Sequence, residues 1–173
     1  GSGVVPANSQ VVIEMELLST EPAPQPVVVS ADKLTTTASG LQYSDLSVGD
    51  GIEAVQNSTV FTDYTIWVKT ATGYDYIDSS TGYSALEFVV GAGDVVFPGW
   101  EEGVTGMKVG GKRYLIIPAE LGLGDQDAGS IPANSVLVME IELVNAMEPQ
   151  VATVVDEKDY TTTASGLKYY DLV

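Results

Sequence analysis

Phe97-Pro98-Gly99-Trp100-Glu101-Glu102-Gly103-Val104-Thr105-Gly106-Met107 is the one stretch of this chain that reads as a helix. Pro98 suits a first helical turn, where its missing N–H is not needed. Glu101 and Glu102 complement the positive end of the helix dipole. Gly106 supplies a stop, so the expected helix spans Pro98 to Met107. Everything around it reads as strand. Val60 to Lys69 carries Phe61, Tyr64, Ile66 and Trp67, the aromatic and β-branched types that suit a pleated surface. Ala71-Thr72-Gly73 turns the chain, and Leu86 to Val90 is a short strand ended by Gly91-Ala92-Gly93-Asp94. Tyr114-Leu115-Ile116-Ile117 is a strand ended by Pro118. In Val136 to Val144, Leu137, Met139, Ile141 and Leu143 alternate with Val138, Glu140 and Glu142, the period-two pattern of a strand with one buried face. Several antiparallel strands with a single short helix make an α+β domain. Trp100, Tyr64, Phe88, Leu115, Ile117, Leu137 and Ile141 are its expected core.

The chain also repeats itself. Pro6-Ala7-Asn8-Ser9 recurs as Pro132-Ala133-Asn134-Ser135, and Thr35-Thr36-Thr37-Ala38-Ser39-Gly40-Leu41 recurs as Thr161-Thr162-Thr163-Ala164-Ser165-Gly166-Leu167. Both blocks lie 126 residues apart (132 − 6 and 161 − 35), so residues 1–47 align with 127–173 without a gap. Val11, Ile13, Met15 and Leu17 alternate as their counterparts do. The intervening Ser19-Thr20-Glu21-Pro22-Ala23-Pro24-Gln25-Pro26 is proline-rich, hence extended and semi-rigid, and its diverged copy from Asn145 to Asp159 keeps the spacing. The expected order is a closing strand of a preceding repeat (1–18), a linker (19–34), one complete domain (35–146), a second linker (147–160) and the opening strand of a next repeat (161–173). On this reading the chain is cut from a tandem array.

Composition narrows the function. Seven Lys and Arg face 24 Asp and Glu, a net charge of −17, so the basic footprint of a nucleic-acid binder is missing. The same charge is repelled by an anionic membrane surface, and no apolar run is long enough for membrane insertion. Cys and His are both absent, which removes disulfides, Cys/His zinc sites and every His-dependent triad.

Four motifs in order resemble those of FKBP-type peptidyl-prolyl isomerases. They are Ser39-Gly40-Leu41-Gln42-Tyr43, Phe97-Pro98-Gly99-Trp100-Glu101-Glu102-Gly103, Gly106-Met107-Lys108-Val109-Gly110-Gly111-Lys112-Arg113 and Ile131-Pro132-Ala133-Asn134-Ser135. The resemblance runs from Ser39 to Leu143 and implies a twisted antiparallel sheet wrapped around one short helix. It also disposes of a decoy. Gly106 to Lys112 has phosphate-loop spacing, but that loop needs Ser or Thr next and a helix after it, whereas Arg113 and a strand follow.

The resemblance implies site residues. Trp100 matches the indole that floors the family's pocket, Asp78 the pocket carboxylate, and Tyr64 a wall tyrosine. Val96 and Phe97 fall beside the floor, with one extra residue relative to the family. Ile77, Leu86 and Met139 stand where the family has aromatics, and Leu123 replaces a tyrosine whose hydroxyl holds the substrate backbone. The implied chemistry is the twisting of an X–Pro amide, which needs no nucleophile, cofactor or metal. Asp125 with Asp127, or Asp75 with Asp78, offers carboxylates to calcium, but no segment matches the helix-flanked calcium loop. Asn57-Ser58-Thr59 is a glycosylation sequon.

Two functions follow. The first is a structural repeat module of an extended surface or filamentous protein, with weak or lost isomerase activity and copies of itself bound head-to-tail by strand addition. It fits an extracellular or cell-surface setting, with the cytoplasm left open. The alternative is an active FKBP-type peptidyl-prolyl isomerase or chaperone that takes proline-containing peptides.

Overall fold

The computed structural model describes residue 10 and residues 22–93, 95, 97–149 and 156–170. The expected closing strand at 1–18 therefore lies outside the described residues, apart from Gln10. The elements of the main body are β1 (Thr35–Thr36), β2 (Gln42–Ser47), β3 (Thr59–Lys69), β4 (Tyr74–Ser79), β5 (Leu86–Val89), α1 (Pro98–Val104), β6 (Lys112–Ile117) and β7 (Leu137–Met147). They form a seven-stranded antiparallel sheet in the order β1-β2-β6-β7-β3-β4, with β5 also on β3. β3 is long enough for β5 to pair with Thr59 to Thr62 and β4 with Thr65 to Lys69 along one edge. This is the expected α+β architecture, a sheet around one short helix. No helix among the described residues is long and apolar enough to cross a membrane.

Alternation decides which side chains meet. On the inner face Ile66, Met139 and Leu115 are register neighbours, as are Val68, Leu137 and Ile117, and all six are buried. α1 lies against this face. A Cβ at Gly99 would sit 2.6 Å from Ile117 Cγ2, and one at Gly103 would collide with Leu115 Cδ1. These two glycines, four residues apart, let the helix backbone rest directly on β6, and Trp100 between them is carried into the core.

The helix ends at Val104, earlier than the expected Met107. The buried Arg113 explains the early stop. Its guanidinium donates to Gly103 O (2.9 Å) and Thr105 O (3.3 Å), so these helix-end carbonyls find partners without another turn. Gly106 follows with φ 79°, which reverses the chain. Arg113 also pairs with Asp45 (2.7 Å) and lies 4.5 Å over the Tyr43 ring. One side chain thus ties α1, β6 and β2 together.

One strand is added and two change. β4 is not among the expected strands; it is an edge strand with little buried surface, ordered by its pairing with β3. β7 continues beyond Val144 to Met147, since Thr59 and Val60 supply partners. β6 begins at Lys112, two residues before Tyr114, opposite Glu142.

The hairpin that opens the domain occurs a second time near the C-terminal end of the described residues. Thr161–Thr162 (β8) pairs with Lys168–Tyr169 (β9), Thr161 opposite Tyr169, just as Thr35 lies opposite Tyr43. A 3-10 turn precedes each hairpin, at Ala31–Lys33 and Glu157–Asp159. The surroundings differ: Leu41 is 1% exposed beneath the main sheet, whereas its counterpart Leu167 is 64% exposed.

Candidate functional site

Trp100 organises a cavity on the inner face. Its ring meets Tyr64 edge-on at 4.6 Å between centroids, Phe88 edge-on at 6.1 Å, and Phe97 in a stacked arrangement at 6.5 Å. Such edge-to-face and offset contacts fix aromatic rings as well as burying them. Above Trp100 opens a mostly apolar cavity of about 340 Å³, within the roughly 300–1,000 Å³ range of small-ligand sites. Asp78 and Glu87 are the acidic residues of its wall. The Asp78 carboxylate accepts a 2.9 Å hydrogen bond from the Tyr64 hydroxyl. Burial, and then the bond to Asp78 and its charge, push the Tyr64 pKa up to about 12, so the phenol stays a donor at neutral pH. The turn after β5 is tied to α1 by Glu101, whose carboxylate accepts the N–H groups of Gly91 and Gly93, both at 3.0 Å.

The structure brings most of the expected residues to this cavity. Tyr64, Ile77, Asp78, Leu86, Phe97 and Trp100 all line it. Tyr64 is only half-buried, unlike the core position expected for it, because its ring forms part of the cavity wall. Met139 is elsewhere: it is fully buried in the sheet centre, and its register neighbour Ile66 faces the cavity instead. Leu123, in the turn after β6, packs partly buried against the core and does not line the cavity. Val96 lies outside the described residues. Five lining residues were not in the expected set, namely Ile66, Glu87, Phe88, Val95 and Ile131. Ile131 was legible as the residue before Pro132 in a quoted motif. Phe88 was legible from alternation with Leu86, since both border the same cavity.

Two buried atoms stand out. Trp100 Nε1 and Thr62 Oγ1 have no hydrogen-bond partner among the described residues. A donor left unpaired in an apolar floor is destabilising on its own account. Among the described residues no group of three or more acidic side chains is arranged to hold a metal ion. A second, more open depression of about 430 Å³ borders Asp63, Lys112, Glu140 and Glu142; Lys112 pairs with Glu142 at 2.9 Å, Asp63 accepts from Ser80 and Glu140 from the Val27 N–H.

The profile of the FKBP-type peptidyl-prolyl cis-trans isomerases matches residues 51–144, more than half of the chain. The chain belongs to this family. It is 41% identical over 110 residues to an FK506-binding protein of Neisseria meningitidis serogroup B, covering 63% of this chain and 98% of that protein. It is 40% identical over 119 residues to the peptidyl-prolyl cis-trans isomerase FKBP15-3 of Arabidopsis thaliana, covering 68% of this chain and 81% of that one. Among solved structures, AtFKBP13 superimposes with a TM-score of 0.58 at 35% identity, over 66% of this chain and 98% of that one. FkpA from Escherichia coli gives 0.57 at 35% identity, over 66% and 51%. The aromatic cavity, the Asp78–Tyr64 pair and α1 all lie within the matched residues.

Proposed function

We propose that the domain is a peptidyl-prolyl cis-trans isomerase that binds an X–Pro segment with the proline in the Trp100 cavity. The X–Pro amide resists twisting by roughly 18–20 kcal/mol because of resonance. Rotation accelerates when the site binds the twisted amide better than the planar one. A dry apolar cavity does this, since twisting breaks the conjugation that makes the planar amide strongly polar. The observation that carries the reading is the cavity itself: an indole floor walled by Tyr64, Phe88 and Phe97, with the Asp78 carboxylate held beside it by the Tyr64 hydroxyl. Leu123 supplies no hydroxyl for the substrate backbone, and one such hydrogen bond is worth about 0.5–1.5 kcal/mol. The expected enzyme is accordingly slower than one with the hydroxyl, but active. A protease-coupled proline assay tests this, with Trp100→Leu as the variant that should lose turnover.

The exposed hairpin supports a second role. β8–β9 repeats the residues by which β1–β2 docks: Leu167 for Leu41, Tyr169 for Tyr43 and, in sequence, Asp171 for Asp45. The changes, Gln42 to Lys168 and Ser44 to Tyr170, fall between these docking positions. This pattern supports an exchange in which 161–173 of one copy takes the place of residues 35–47 of another, beside β6 and Arg113, head-to-tail, as in an extended surface array. Light scattering tests it: Leu167→Asp should convert any oligomer to monomer, and a wild-type chain that is monomeric at all concentrations counts against it.

A further inference from the structure

A second apolar surface lies on the face of the sheet turned away from α1. Trp67, Tyr114 and Val138 are buried there as a cluster distinct from the main core. Trp67 pairs with Val138, and Val138 with Ile116, so their side chains form one continuous row. Antiparallel sheets commonly leave one face to water, so a buried aromatic row needs a cover. Residues 22–34 provide it. The Trp67 indole N–H donates to Pro24 O at 2.7 Å, and the Val27 N–H donates to the Glu140 carboxylate at 2.6 Å. Pro26 is buried, and Val29 and Leu34 pack on the aromatic cluster.

The chemistry of this contact is that of peptide recognition. Residues 22–30 form neither helix nor strand, and Ser30 has φ −69°, ψ 145°, the polyproline II region. A proline-containing segment in that conformation loses little entropy on docking and presents its carbonyls outward. Aromatic grooves that donate to those carbonyls are the usual way such segments are bound. Trp67 and Glu140 read one carbonyl and one N–H of the segment, and the aromatic row reads its apolar side chains.

We propose that this outer face is a second peptide site, separate from the Trp100 cavity, that recognises an extended proline-containing segment and is filled in cis by residues 24–30, which the 3-10 turn at Ala31–Lys33 and Leu34 join to the domain. Trp67 points to the opposite face from Ile66 and Val68, which pack with Trp100 in the main core, so the two sites do not share a wall. The docked strap makes the chain enter the domain along one fixed line and so sets the direction of whatever precedes it. The proposal also carries a specificity. At the place of the buried Pro26, the diverged copy 126 residues on has Ala152, so it lacks the proline ring that this site covers.

Hydrogen exchange and peptide titration on the full chain test this. The Val27 amide should exchange at least tenfold more slowly in the wild-type chain than in Trp67→Phe, which removes the indole donor but keeps the ring. In a Pro24→Gly/Pro26→Gly chain, whose substitutions lie outside the sheet, the indole N–H resonance of Trp67 should become exchange-labile. A synthetic peptide of residues 22–34 should restore its protection, and a peptide of residues 148–160 should not. A Val27 amide that exchanges at the free-peptide rate in the wild-type chain overturns the proposal. So does restoration by both peptides, or by neither. Isomerase turnover is measured on the same variants and should be unchanged, so loss of the isomerase reading leaves this result standing.

Discussion

Leu41 and Leu167 offer a matched pair for testing how the two hairpins differ. They have the same local sequence, Ala-Ser-Gly-Leu, and the same hairpin hydrogen bond, from Thr37 N to Leu41 O and from Thr163 N to Leu167 O, both 2.9 Å. Leu41 is buried in the main core at 1% exposure, and Leu167 is 64% exposed. Truncating a buried leucine to alanine removes its transfer energy and leaves a cavity, typically about 2–5 kcal/mol. Leu41 sits near the sheet edge beside β6, so about 3 kcal/mol is expected for Leu41→Ala. Leu167→Ala should fall within about 0.5 kcal/mol, as exposed positions do. Urea unfolding at low protein concentration, followed by Trp fluorescence, measures both, with the slope checked for constancy. A difference of about 2.5 kcal/mol is roughly seventyfold in the folding equilibrium. The reasoning is refuted if Leu41→Ala is mild and only the double variant is strongly destabilised. That result would mean that either hairpin can occupy the same place on β6.

Arg113→Met removes the Asp45 pair and strips two helix-end carbonyls of their donor; because Asp45 is partly solvated, chemical denaturation should show a loss of about 2–3 kcal/mol. Tyr64 should make the fold sensitive to alkali: its folded pKa, about 12, exceeds the usual 10, so its contribution is complete below pH 10 and is lost as pH rises through 12. Tyr64→Phe should therefore flatten the alkaline limb of a stability profile recorded by circular dichroism. Ile77→Phe combined with Leu123→Tyr should raise turnover about two- to tenfold, the worth of one restored hydrogen bond and a closer wall; unchanged kcat/KM in a correctly folded variant would count against the cavity as the reaction site.

Much of this molecule was legible because its signals are local. The helix was marked by Pro98, its acidic first turn and a glycine stop, and β7 by strict alternation from Leu137 to Leu143. What escaped was set by partners distant in sequence. The helix end depends on Arg113, whose reach to Gly103 and Thr105 has no local signature. β4 is an edge strand with little buried surface, and it is ordered by β3. At the site, Trp100, Tyr64 and Asp78 were readable from motif resemblance. Met139 was expected at the cavity from the same resemblance, and the structure buries it in the sheet centre instead. The strap at 22–34 reads as a linker in sequence, since prolines predict extension and say nothing about what the extended segment touches.

The central claim is that the Trp100 cavity turns over prolyl bonds, and one assay addresses it directly. The full chain and Trp100→Leu are compared in a protease-coupled assay on a peptide carrying an apolar residue before proline, with folding of the variant verified by circular dichroism. The account expects the wild-type chain to accelerate cis-to-trans conversion in proportion to its concentration, and the variant to fall to the uncatalysed rate. A wild-type rate indistinguishable from the uncatalysed one, or full activity in folded Trp100→Leu, would contradict it.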